Sequence, residues 1–151
     1  MTSEFESYPQ LPWNSATAVD DARDLLSNAQ SEDDAAHAQQ AMFNALGNNH
    51  AGTYYPIALA VVAHLGLQVE LGSLWAQYAA VQTLLDLTGS FEPENGYEAF
   101  APSEQEPAAH VQSELRRQVR GLASKLRTVA VHDRPASLGA AELIELVAGE
   151  A

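Results

Sequence analysis

The chain is predicted to be all-α, on three observations. Apolar residues recur at three- and four-residue spacing in six separate windows. Capping and stopping residues punctuate those windows. No segment of four or more residues alternates apolar with polar in β-branched fashion, so a three-stranded sheet is not expected. Length and composition agree with one globular domain spanning 1–151. The chain has 151 residues, 46% of them hydrophobic and 18% charged, and domains commonly run to about 100–150 residues.

The elements follow in order. Residues 1–13 hold Pro9, Pro12 and scattered aromatics, an irregular arm that Trp13 can pin. Asn14 and Ser15 then offer caps to a first helix at 15–29, with the stripe Val19, Ala22, Leu25, Leu26 and Ala29. Ser31 with Asp34 three residues on is a relative of the capping box and opens a second helix at 32–46, stopped by Gly47. Thr53 can cap a third at 55–67, with Pro56 near its first turn. Ile57 to Ala63 is apolar all round, which implies burial on every side. Ser73 opens a fourth at 73–88, where Leu74, Tyr78, Val81 and Leu85 form the stripe. Ser103 and Glu106 make a capping box for a fifth at 105–131, with Val111, Leu115, Val119, Leu122, Leu126 and Val129 on one face. Pro135 separates it from a sixth at 137–149. Short connections make consecutive helices antiparallel neighbours. Such hairpins either stack side by side as an α-solenoid fragment or wrap into a bundle.

Between the fourth and fifth helices lies the segment 89–106. Its 18 residues include two prolines, two glycines and five glutamates. Loops this long inside one domain are commonly functional. Glu92, Glu94 and Glu98 stand there beside Phe91, Tyr97 and Phe100. Acids beside aromatics suit a binding surface. The alternative is that the aromatics pin the loop to the helices.

Charge restricts the function further. Twenty acidic residues face seven basic ones, a net charge of −13. Residues 1–106 carry fifteen of the acids and one base, Arg23. Such a surface repels phosphate backbones and anionic lipid and steers basic proteins inward. Neither nucleic acid nor membrane is therefore expected as a partner. The expected location is the cytoplasm, because Glu4 and Glu6 give an acidic start where a secretory signal needs a basic one. The absence of cysteine excludes disulfides, thiolate metal sites and cysteine nucleophiles.

The run Ala45-Leu-Gly-Asn-Asn-His-Ala-Gly-Thr-Tyr-Tyr-Pro56 can be taken as a unit. It resembles an N-x-x-H-x-G-T-x-Y-P turn that joins the two helices of a repeat in small bacterial HEAT-like proteins. Asn48 or Asn49, His50, Gly52, Thr53, Tyr55 and Pro56 are the matching positions. The resemblance covers about residues 31–100. It implies a helical-repeat scaffold and a structural task for His50, Gly52, Thr53 and Pro56. Some proteins of this kind resemble immunity proteins of bacterial toxin systems, which implies a toxin domain as partner.

Catalytic signatures are sparse. No Walker loop, HExxH, GxSxG or GxGxxG is present. Asp33 and His37 stand at i, i+4, but two ligands do not make a metal site, so no metal or cofactor is expected. His64 sits in the most apolar helix and is better explained as a histidine hydrogen-bonded to a neighbour than as a general base. The leading expectation is thus a non-enzymatic protein that covers a basic partner. Asp20, Asp21, Asp33, Asp34, Glu92, Glu94, Tyr97, Glu98 and Phe100 would supply the contacts. The competitors are a general adaptor or scaffold, and a small hydrolase or metal enzyme using His37, His50 or His64 with nearby carboxylates.

Overall fold

The computed structural model describes residues 8–9, 11–14, 17–101 and 105–148; the expected caps Ser15 and Ser103 lie outside them. In chain order the elements are α1 (Thr17–Ser27), α2 (Glu32–Leu46), β1 (Gly47–Asn48), β2 (Thr53–Tyr54), α3 (Ala58–Leu71), α4 (Leu74–Gly89), β3 (Glu92–Pro93), β4 (Ala99–Phe100), β5 (Ala109–His110), α5 (Val111–Arg120), α6 (Ala123–Ala130) and α7 (Ser137–Ala148). The described chain is mostly helical, as predicted. No described helix is long and apolar enough to cross a membrane.

Two helix starts work as their spacing implies. The Ser31 hydroxyl accepts the Asp34 N–H at 3.1 Å, and the Asp34 carboxylate accepts the Gln30 N–H at 3.0 Å. Ser73 caps α4 by accepting the Ala76 N–H at 3.3 Å, and its own hydroxyl donates to the Ala29 carbonyl at 3.1 Å. That second bond fastens the end of the α1 segment to the head of α4.

Four expectations need correction. First, a three-stranded sheet exists, in the order β1-β2-β3. β1 and β2 pair antiparallel, and β2 and β3 pair parallel with Thr53 opposite Glu92. Each strand has two residues, too short for a period-two pattern to register. Second, the fifth helix is two helices and starts later than expected. Ala109–His110 pairs with Ala99–Phe100, which takes the backbone the helix would have used. His110 is the actual cap, its ring Nδ1 lying 3.4 Å from the Ser113 N–H. A break at Gly121–Leu122 then divides α5 from α6. The apolar stripe resumes on the same face after that break: Val111, Leu115, Val119, Leu126 and Val129 are buried, and only Leu122, at the break itself, is partly exposed.

Third, Thr53 does not cap α3. It lies in β2, and Ile57 occupies the cap position with no side-chain bond. Fourth, the buried faces of two helices differ from the stripes. Ala63 of α3 is exposed and the helix continues to Leu71. In α4, Leu74 is 52% exposed, while Ala76, Ala79, Ala80, Val81, Leu84 and Leu87 are buried. The reason is position: α4 packs against α1, α2, α3, α5 and α7. A helix enclosed this way is closely approached, so small residues serve it better than one large-residue stripe. Its buried threonines, Thr83 and Thr88, return their hydroxyls to the carbonyls of Ala79 and Leu84 at 2.7 and 2.8 Å, so neither leaves a donor unmet. Leu26, Met42, Leu46, Ile57, Leu65, Leu115 and Leu143 complete the core, each contributing about 1.5–3 kcal/mol on burial.

Candidate functional site

Two features distant in the sequence meet on one face. The turn 47–56 supplies β1 and β2, and the acidic loop supplies β3. The joint is made by backbone: the Glu92 N–H donates to the Gly52 carbonyl at 3.0 Å and the Glu94 N–H to the Tyr54 carbonyl at 2.7 Å. Asn48 Oδ1 accepts the Ala51 N–H at 3.2 Å, Gly52 N–H donates to the Asn49 carbonyl at 3.3 Å, and Asn49 Nδ2 donates to Gln40 Oε1 at 2.7 Å. His50 stands exposed at the tip of this turn. Gly52 holds φ +71°, the left-handed region where glycine carries no steric penalty. Pro56 is buried in the turn entering α3, and its carbonyl accepts the Leu59 N–H at 2.9 Å.

Thr53 joins the two segments a second time. Its hydroxyl donates to Glu94 Oε2 at 2.5 Å. Thr53→Val removes that bond and leaves a half-buried carboxylate short of a donor. It is expected to cost about 1.5–2 kcal/mol, the low end of the range for bonds to charged groups. Paired urea melts of Thr53→Val and Thr53→Ser check this, with serine expected to retain most of the stability.

The aromatics of the loop turn inward. Phe91 packs on Phe43 with ring centroids 4.9 Å apart, Tyr97 on Tyr55 at 4.6 Å, and Phe100 stacks on Tyr8 at 5.0 Å. Of the two roles open to them, their contacts serve the pinning one. The glutamates divide. Glu92 and Glu98 are exposed, whereas Glu94 is half-buried against Thr53. Glu98 Oε1 also accepts the Gly96 N–H at 2.6 Å.

A cleft of about 460 Å³ opens beside β3, with Glu92, Glu98, Thr53, Asn95 and His110 on its walls. On the far side of the turn a cleft of about 280 Å³ is bounded by Trp13, Asn44, Asn48 and His50. Trp13 itself is anchored, since its indole N–H donates to the Asn44 carbonyl at 3.2 Å and its ring meets Tyr55 edge-on. Asn14 Nδ2 reaches the same carbonyl at 2.5 Å, so Asn14 is engaged there.

Beneath the sheet lies Tyr54, fully buried, with its hydroxyl oxygen lacking a hydrogen-bond partner. Burial pushes this phenol up to about 12; Arg116 pulls it back and Glu92 adds to the rise. Arg116 donates to the Thr88 carbonyl at 2.7 Å. Sequence reasoning did not single out Tyr54, because a tyrosine beside Gly-Thr looks the same whether it faces out or in.

The remaining acids fall into two groups. Asn14, just before α1, touches Asn44 near the end of α2, so Asp20 and Asp21 in the early turns of α1 lie toward the turn face. Asp20 is paired to Arg23 at 3.3 Å, and Asp21 is exposed. Asp33 and Asp34 sit at the opposite end of α2, about 20 Å away at 1.5 Å per residue. They do not join the face. His64 is half-buried, with Arg23 Nη1 at 3.2 Å from its Nδ1, the hydrogen-bonded setting expected of it. Among the described residues no three histidine, aspartate or glutamate side chains gather as metal ligands. Set against family models, curated proteins and solved structures, the chain matches none of them.

Proposed function

We propose that this chain is a non-enzymatic, cytoplasmic protein that binds and covers a basic partner protein, in the manner of an immunity or antitoxin protein against a bacterial toxin domain. The observation that carries the reading is the cleft beside β3. Two exposed carboxylates, Glu92 and Glu98, stand on its walls, in a part of the chain where bases are nearly absent. A lysine or arginine from a partner finds there both charge and the polar wall of Thr53 and Asn95. The repeat-like turn resemblance supports the immunity form. The packing of α1 on α2, α3 on α4 and α6 on α7 supports a stacked-hairpin scaffold under it. Asp21, exposed in α1, adds to the acidic charge of the domain.

The test is kinetic. A partner captured with the wild-type chain is expected to present a basic domain. Its association rate should fall steeply as salt shortens the Debye length to about 8–10 Å. The double reversal Glu92→Lys, Glu98→Lys should slow association further and shift the melting curve only slightly, because both side chains are exposed and the bond lost, from the Gly96 N–H to Glu98, is at the surface. Glu94 is left intact, since it holds Thr53. Association independent of salt, with affinity unchanged by the reversal, would show that the face only solubilises the domain.

A further inference from the structure

A separate recess of about 260 Å³ lies among α3, α4 and α6, on residues with no part in the turn and loop face. Val69 and Val129 give it an apolar wall, and Ser124, Thr128, Lys125 and Arg134 line it as well. Gln77 of α4 also lines it and is only 2% exposed. The Gln77 Nε2 donates to the Val69 carbonyl at 2.8 Å, which fixes the orientation of the amide. Its Oε1 is buried and has no hydrogen-bond partner. Buried acceptors without a donor are few in folded proteins and call for a bound group or water.

The rim carries charges of both signs. Lys125 Nζ and Glu70 Oε2 are 2.9 Å apart. The Arg134 side chain is exposed and makes no hydrogen bond or ion pair among the described residues. A guanidinium presents paired donors that suit a carboxylate. A recess offering an unmet acceptor, a carboxylate and a guanidinium matches a ligand that bears both an ammonium and a carboxylate. Its volume is below the roughly 300–1,000 Å³ of sites for larger molecules.

We propose that this recess binds a free α-amino acid with a small side chain. The ammonium donates to Gln77 Oε1 and faces Glu70. The carboxylate lies on Arg134 with Lys125 beside it, and the side chain meets Val69 and Val129. A zwitterion laid against the Lys125–Glu70 pair sets each of its charges beside an opposite one, whereas a simple anion gains Arg134 but leaves Gln77 unmet.

Isothermal titration of the full chain with L-alanine, L-serine, L-threonine and L-valine tests this, with acetate, methylammonium and L-tryptophan as controls. At least one small amino acid should saturate one site per chain, and the three controls should not. Arg134→Ala and Gln77→Met should each weaken that binding by about tenfold or more, from the loss of a charged contact and of the buried acceptor. Arg127→Ala, an exposed arginine of α6 outside the recess, should leave it unchanged. Silence from all four probes overturns the proposal, as does binding that survives Arg134→Ala, or acetate binding as well as the amino acids. If Gln77→Met fails to fold, Arg134→Ala decides alone, because that side chain is exposed. The readout needs no protein partner, so it stands or falls separately from the acidic face.

Discussion

Gly47→Ala is expected to destabilise the protein by about 3 kcal/mol or more, at or beyond the upper end of overpacking costs. A Cβ built at Gly47 lies 2.0 Å from the Thr53 carbonyl oxygen and 2.5 Å from Tyr54 Cα. Both are backbone atoms of β2, so no side-chain rotation relieves the contact. The only relief is to separate β1 from β2, which also loosens β3. The φ of Gly47 is −176°, ordinary extended backbone, so the whole penalty is steric. Gly52 gives the opposite case. A Cβ there meets nothing within 4 Å, but φ is +71°. Gly52→Ala should therefore cost only about 1–2 kcal/mol, the left-handed penalty. Urea denaturation of the two variants side by side checks the order. A milder effect at Gly47 than at Gly52 would mean that the two strands can part without loss.

Tyr54→Phe is expected to raise stability near neutral pH by about 1 kcal/mol, because it deletes a buried hydroxyl whose oxygen has no partner. The larger difference comes in alkali. With the folded phenol near 12 and the ordinary value at 10.0, the unfolded chain ionises first as pH rises. The stability tied to this proton is complete below pH 10 and disappears as pH climbs toward 12. Wild type should lose about 2 kcal/mol over that window through this group, and Tyr54→Phe should not. Tyr8 and Tyr55, whose phenols burial also raises, remain in both proteins, so the comparison isolates Tyr54. Coincident stability curves across pH 8–12, or a loss at pH 7, would show that the hydroxyl is satisfied by a bound water.

The helices were legible where periodicity and caps agreed. Ser31 and Ser73 act as their positions imply, and the stripe from Val111 to Val129 is buried except at Leu122, where the helix breaks. Periodicity could not show that the backbone breaks at Gly121–Leu122, since a short kink preserves the face a stripe presents. It also misjudged α4. Leu74, Tyr78 and Leu85 make a convincing amphipathic pattern, yet the alanines between them are what a surrounded helix buries. The turn and the loop were both recognised as unusual, but their meeting was not foreseeable. It is made by main-chain bonds between Gly52, Tyr54, Glu92 and Glu94, which leave no trace in side-chain identity. Thr53 was noticed for its hydroxyl, and its partner proved to be Glu94, 41 residues away. The inward turn of Tyr97 and Phe100 was one of two readings, and composition could not choose between them.

The parallel joint of β2 to β3 has one more consequence. It ties together the two ends of the α3–α4 segment, so the acidic edge is braced on both sides by a helical pair. A loop of this length would ordinarily lose much of its freedom when a partner orders it, and affinity would fall by that entropy. Here Glu92 is held by the Gly52 carbonyl, and Phe91 and Tyr97 are already seated on Phe43 and Tyr55. Most of the ordering has occurred during folding, before any encounter. A partner meeting this edge would meet a preorganised surface, and the gain from its charges would not be spent on arranging the loop.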